Sequence, residues 1–140
     1  MATKKVVSLD EKRLDIHFEP VFEQCMKLTA RTAAYLDGPG RVHSKLHDRD
    51  LTRLYARESM LLTTVLLESA GWLLQWRSYI GGEVGKDHLI RRTKKILCES
   101  YAPRVEPTLP KEFVEIIQEV QRLHAVCMRF RTTALMRLSK

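Results

Sequence analysis

Six glycines and five prolines in 140 residues are too few for a collagenous, loop-dominated or low-complexity chain. Cysteine is scarce as well. Cys25, Cys98 and Cys127 are odd in number and share no short spacing, which argues against a disulfide framework and predicts free thiols in a reducing compartment. No apolar run reaches the roughly 20 residues of a membrane span. The nearest approach, from Met60 to Leu74, is ~15 residues long and contains Glu68. The first eighteen residues, MATKKVVSLDEKRLDIHF, hold no apolar stretch that would serve as a signal peptide. A cytoplasmic protein that does not enter a membrane is the expectation.

Catalytic signatures are missing too. The chain has no GxSxG elbow, no P-loop, no dinucleotide fingerprint and no Glu-x-x-His pattern for a di-metal bundle. His43 and His47 stand four apart beside Asp48 and Asp50, but their stretch is rich in Lys and Arg and offers no third ligand at a recognised spacing. His124 and Cys127, three apart, could be imagined as a base and a nucleophile. Cys127 lies on an apolar stripe, so a buried structural thiol is the better reading. His17 and His88 form no constellation. Neither an enzyme nor a bound metal or cofactor is expected.

What the chain does have is helical periodicity. From Asp50 to Ile80 the residues Leu51, Leu54, Tyr55, Leu62, Val65, Leu66, Leu73, Trp76 and Ile80 recur at three- and four-residue steps. A second apolar set, Met60, Leu67, Ala70 and Leu74, falls on another side of the same cylinder. Arg57, Thr64, Glu68 and Gln75 line up in one narrow polar stripe. Such a helix needs cover on more than one side, from sister helices and from a second copy of the chain. Asp48 or Asp50 can cap its start, and Gly81-Gly82 ends it.

Residues 1–14 read as a loose polar arm, in which Ser8 and Glu11 have capping-box spacing. A first helix follows from Asp15 or Pro20 to Leu36, with Phe18, Phe22, Cys25, Met26, Thr29, Ala33 and Leu36 facing inward. Asp37-Gly38-Pro39-Gly40 stops it, Gly38 suiting the left-handed position after a helix. Arg41 to Asp48 is a polar connection. Lys86 to Leu97 forms a shorter helical piece, and Ser100 to Pro110, with three prolines, an extended connector. The last helix runs from Pro110 to about Leu138 on the stripe Phe113, Ile116, Ile117, Val120, Leu123, Cys127, Phe130, Ala134 and Leu138. Arg129, Arg131, Arg137 and Lys140 load its C-terminal end, where cations suit the helix dipole. The expected fold is all-α: a single domain over residues 15–140, with three long helices in an antiparallel bundle and a short extra helical piece.

The net charge of +7 admits nucleic acid, an anionic surface or an acidic protein partner, although a basic balance by itself says nothing about which. Arg91, Arg92, Lys94 and Lys95 form the densest cluster, an anionic-partner patch by charge. It lacks interleaved aromatics and the cadence of a helix-turn-helix. Glu58 sits on the otherwise apolar side of the long helix, where a carboxylate needs a cation; Arg31 and Arg41 are the candidates. Trp72 and Trp76 fit core packing better than interface anchoring.

Two stretches go beyond pattern. TAAYLDGPGR (Thr32 to Arg41) followed by LYARESMLLTTVLLESAGWLL (Leu54 to Leu74) closely resembles the alphaproteobacterial family typified by RcdA, the regulator of CtrA degradation. The resemblance implies a non-catalytic three-helix bundle that forms a homodimer. It implies an adaptor for regulated proteolysis in the cell cycle, joining the ClpXP unfoldase–protease primed by the receiver-like protein CpdR. The partners it implies are ClpX, a CpdR-like receiver protein, a PopA-like adaptor and cargo proteins. RcdA carries a flexible tail after its last helix; the present sequence runs to Lys140, about where the last helix is expected to end.

The features expected to recognise protein partners are the turn Asp37, Gly38, Pro39, Gly40 and Arg41, with Arg53, Arg57 and Glu58 as exposed side chains near it. The alternatives are a small basic nucleic-acid-binding protein acting through residues 91–95, or a structural dimer with no other partner.

Overall fold

In a computed structural model the chain is described over residues 9–43, 48–95 and 100–138, with residues 9–17 and 43 described by their backbone alone. Among these described residues five helices follow one another: α1 (Leu9–Asp37), α2 (Pro39–His43), α3 (Arg49–Ile80), α4 (Lys86–Lys94) and α5 (Lys111–Leu138). No strand occurs among the described residues. Three long helices, α1, α3 and α5, make the bundle, as the periodicity predicts.

Aromatic contacts fix the directions. Tyr35 at the end of α1 and Tyr55 near the start of α3 both meet Phe113 at the start of α5, with centroids 6.1 and 4.5 Å away. At the other end Phe18 of α1 and Trp72 and Trp76 of α3 meet Phe130 of α5, at 6.3, 5.5 and 5.4 Å. Helix α1 is therefore antiparallel to both of its partners, while α3 and α5 run the same way. That arrangement requires the chain to travel back along the bundle between them, and α4 with the extended segment 100–110 does so.

Helix α1 starts at Leu9, earlier than Asp15 or Pro20, and Pro20 lies inside it. Proline weakens a helix interior by about 3 kcal/mol. Packing on both sides of it carries the helix through: Phe18 is fully buried and stacks on Phe22 at 5.5 Å, with the Arg77 guanidinium over both rings. The buried face is Phe18, Cys25, Leu28, Thr32 and Tyr35. Phe22, Met26, Thr29 and Leu36 are half-buried beside it, whereas Ala33, expected inside, is exposed. Thr32 takes the inward place because its hydroxyl donates to the Leu28 carbonyl at 2.8 Å, so that burial leaves no unpaired group. Ser8 lies outside the described residues.

The connection after α1 also departs from expectation, because Pro39 opens a short helix, α2, where a polar loop was foreseen. Gly38 does not adopt the left-handed conformation. That conformation belongs to Gly82, with φ 79°, after α3. There the Gly82 amide donates to the Tyr79 carbonyl and the Glu83 amide to Ser78, at 3.1 and 2.9 Å, so two terminal carbonyls of α3 are satisfied. At the other end the Asp48 carboxylate accepts from the amides of Asp50 and Leu51, the N-cap foreseen for it.

The α5 stripe is buried at every position from Phe113 to Leu138 named above. His124 and Arg131 are buried with it. Arg131 therefore does not load the exposed helix end; its guanidinium lies 5.9 Å from the Trp72 ring. Lys140 lies outside the described residues. Helix α4 docks on α3 through Leu89 and Thr93, and the Thr93 hydroxyl accepts a 2.8 Å hydrogen bond from Trp72 Nε1. Both tryptophans belong to the core, Trp72 at 4% exposure and Trp76 at 0%.

Candidate interaction surfaces

The turn at 37–41 and the start of α3 come together in space. Tyr55 Oη donates to the Gly40 carbonyl at 3.1 Å, and Gly40 is buried against Tyr35 and Tyr55. A Cβ there would stand 2.6 Å from Tyr55 Oη and 2.7 Å from the Tyr35 carbonyl oxygen, so the position has room only for glycine. Burial and mutual hydrogen bonding push the Tyr35 hydroxyl well above its ordinary range, and burial raises Tyr55 as well. Asp37, Gly38, Pro39 and Arg41 are exposed around this buried centre. The motif thus has a packed inside, which holds the α1–α2 corner onto α3, and a solvent-facing rim.

Glu58 is not an exposed recognition residue. It is 1% exposed, and its Oε1 accepts the Arg104 amide at 3.0 Å, while among the described residues no hydrogen-bond partner meets Oε2. The carboxylate faces the extended segment 100–110, not a cation of α1. Arg31 pairs instead with Glu119 at 2.8 Å and Glu115 at 3.6 Å on α5. Tyr101, its hydroxyl buried beside Glu58, has its pKa raised by burial and by that negative charge. Sequence periodicity placed Glu58 on the apolar side correctly. The strap that it holds is the connector expected at Ser100 to Pro110, but that it reaches Glu58 left no pattern to read.

Arg53 and Arg57 are exposed, one turn apart on α3. With Asp48, Asp50, Arg104 and Glu106 they line a cleft of about 520 Å³ between the start of α3 and the strap. Arg104 is occupied with Glu106 at 3.1 Å. Arg53 and Arg57 have no carboxylate partner among the described residues. Arg91, Arg92, Lys94 and Lys95 are all exposed around the buried Thr93 and are likewise without a carboxylate partner among the described residues. The structure does not bring the two basic groups into one patch; they flank different parts of α3.

The second apolar set of α3 is only partly covered within the chain, Ala70 being half-buried. Met60, Leu67 and Leu74 are exposed by 73%, 62% and 48%, so no sister helix of the same chain covers them. Leu67 borders a groove of about 300 Å³ between α3 and α4, lined also by Glu68, Gly71, Trp72, Gln75, Arg92 and Lys95.

Cys25 and Cys127 are buried free thiols; burial, reinforced by Cys25, pushes Cys127 up to about 11. At neutral pH it is a protonated packing residue. His124, one turn before it, is buried with its ring 6.1 Å from that of Tyr101. His47, Cys98 and the His43 side chain lie outside the described residues. Among the described residues no helix is long and apolar enough to cross a membrane, and no group of three acidic, His or Cys side chains stands ready for a metal.

Residues 11–138 match a family model described as a protein of unknown function, DUF1465. Among solved structures the chain is similar to RcdA from Caulobacter crescentus. The two are 36% identical, the match covers 80% of this chain and 85% of that one, and the TM-score is 0.66. No curated protein matches it.

Proposed function

From the premise that the chain belongs to the RcdA-like DUF1465 family, we propose that it is a non-enzymatic cytoplasmic adaptor or scaffold that acts as a homodimer. It tethers cargo proteins, or a further adaptor of the PopA kind, to a ClpXP protease primed by a CpdR-like receiver protein, in regulated proteolysis of the cell cycle. The observation that carries this reading is the 36% identity to RcdA over 80% of the chain. Its two most specific stretches, 32–41 and 54–74, meet at the contact of Gly40 with Tyr55. Exposed features around that contact (the rim of the turn, Arg53 and Arg57) are the surfaces through which partners are recruited.

The test is a pull-down of the tagged full chain from the cytosol of its own organism, at moderate salt and with nuclease present. Recovery of ClpX, a CpdR-like receiver protein or a specific client supports the adaptor. Recovery of none of these overturns it.

One observation favours a second reading, nucleic-acid binding: four exposed cations stand at 91–95 without a carboxylate partner among the described residues. That reading requires retention of nucleic acid when nuclease is omitted, with affinity that falls steeply as salt rises. Docking on an adaptor surface depends in addition on apolar contacts and is less salt-sensitive.

A further inference from the structure

The row Met60, Leu67, Leu74 on α3 repeats every seven residues and so runs for about 21 Å along one side of the helix. Gly71 lies within about 40° of Leu67 on the same cylinder. A Cβ on it would meet nothing within 4 Å, so no contact among the described residues asks for glycine there, although glycine weakens a helix interior. Glycine on an open helix surface lets another backbone come close. On one side of the row cations stand at two separate places. Arg57 stands about 60° around the helix from Met60, and Arg92 of α4 and Lys95 just after it line the groove beside Leu67. None of these three has a carboxylate partner among the described residues. Glu68, which lines the same groove, is already engaged.

We propose that this face docks an amphipathic helix of a partner protein, with its apolar side on the row and carboxylates along the edge that meets Arg57, Arg92 and Lys95. Taking the partner to be a client or further adaptor rests on the adaptor reading above. A second copy of this chain laid antiparallel fits the face poorly, because a two-fold axis at Leu67 perpendicular to α3 sets the two cationic edges against each other, between chains that each carry +7. Nucleic acid would answer the charges but leave the apolar row unused.

The purified full chain is titrated with a fluorescent peptide of about four helical turns that carries Leu at three- and four-residue spacing and Glu along one edge. One control peptide has Lys for Glu, another Ala for Leu. Saturable binding of the acidic peptide alone is expected. It should weaken roughly tenfold or more with Leu67→Asp, and similarly with the double variant R92E/K95E. Leu67 is exposed, and circular dichroism verifies that the variant folds. Absence of saturable binding, equal binding of the Lys peptide, or indifference to Leu67→Asp overturns the proposal. So does sedimentation showing that Leu67→Asp splits a dimer into monomers, because a second copy then occupies the face. Peptide binding without capture of ClpX, a receiver protein or a client removes the adaptor role and leaves the surface standing. Capture that persists while the peptide fails to bind removes only the surface.

Discussion

Tyr55 Oη donates to the carbonyl of Gly40 at 3.1 Å, fifteen residues back in the chain, and this bond closes the corner between α1 and α3. The two residues belong to the two most distinctive stretches of the sequence, so part of that distinctiveness is architectural. Gly40→Ala places a methyl group 2.7 Å from the Tyr35 carbonyl oxygen, a backbone atom that cannot swing aside. Overpacking of this kind costs about 1–3 kcal/mol. Tyr55→Phe removes this bond together with the one between the Tyr35 and Tyr55 hydroxyls, and should cost about 1 kcal/mol for each bond lost. Urea unfolding at fixed protein concentration measures both. A Gly40→Ala variant as stable as the parent would mean that the corner is loosely packed.

The strap at 100–110 makes a different demand. Glu58→Ala leaves the Arg104 amide without its acceptor and a void in a buried place. A loss of about 1–3 kcal/mol is expected from the unpaired donor, with a cavity cost added to it. Glu58→Gln keeps an acceptor oxygen and should lose less. Hydrogen exchange at the Arg104 amide reads the strap directly: it should quicken in the Ala variant ahead of amides in the α5 core. Unchanged exchange would mean that Leu109 and the prolines hold the strap unaided.

These two contacts mark how far the sequence could be read. The α5 stripe was legible from end to end because one helix face meets one core, and a 3.6-residue period is the whole signal. The limits of α1 were not, because the local penalty of Pro20 was outweighed by burial of Phe18 on a helix far away in sequence. Thr32 and Thr93 went unread for a related reason: each hydroxyl bonds back to the carbonyl one turn earlier, at 2.8 Å, which lets a polar residue sit inside. Glu58 was legible as an anomaly, a carboxylate on an apolar face. Its partner is a backbone amide, which no side-chain pattern reveals. The exposed row on α3 was legible as apolar; that it stays uncovered within the chain follows only from where α1, α4 and α5 pack.

Alkaline pH gives a test of the buried thiols. Burial raises Cys127 from 9.0 to about 11, against the weaker opposing pull of Arg131 and Ser69. The folded chain therefore holds this proton more tightly than the unfolded chain does. Its contribution to stability is complete below about pH 9 and is lost as pH rises through about 11. Cys25, Tyr35, Tyr55 and Tyr101 are raised as well, and all four act in the same direction. The urea midpoint should hold steady from neutral pH to about 9 and then fall. Cys127→Ala should lower the whole curve through lost packing yet make its alkaline limb shallower. A limb as steep as the parent's would assign the fall to Cys25 and the tyrosines.

Leu66 and Leu67 are neighbours in sequence and opposites in the fold, at 3% and 62% exposure. Leu66→Ala empties a place in the core and should cost about 2–5 kcal/mol. Leu67→Ala touches nothing packed and should stay within about 0.5 kcal/mol of the parent, provided no second chain lies on that face. Thermal unfolding at two protein concentrations separates the possibilities. If Leu67→Ala is silent at both, the apolar row is free in the isolated protein and available to a partner of another kind. If its cost grows as the protein is concentrated, self-association covers the row, and the cationic edge beside it must then be neutralised by groups of the second copy.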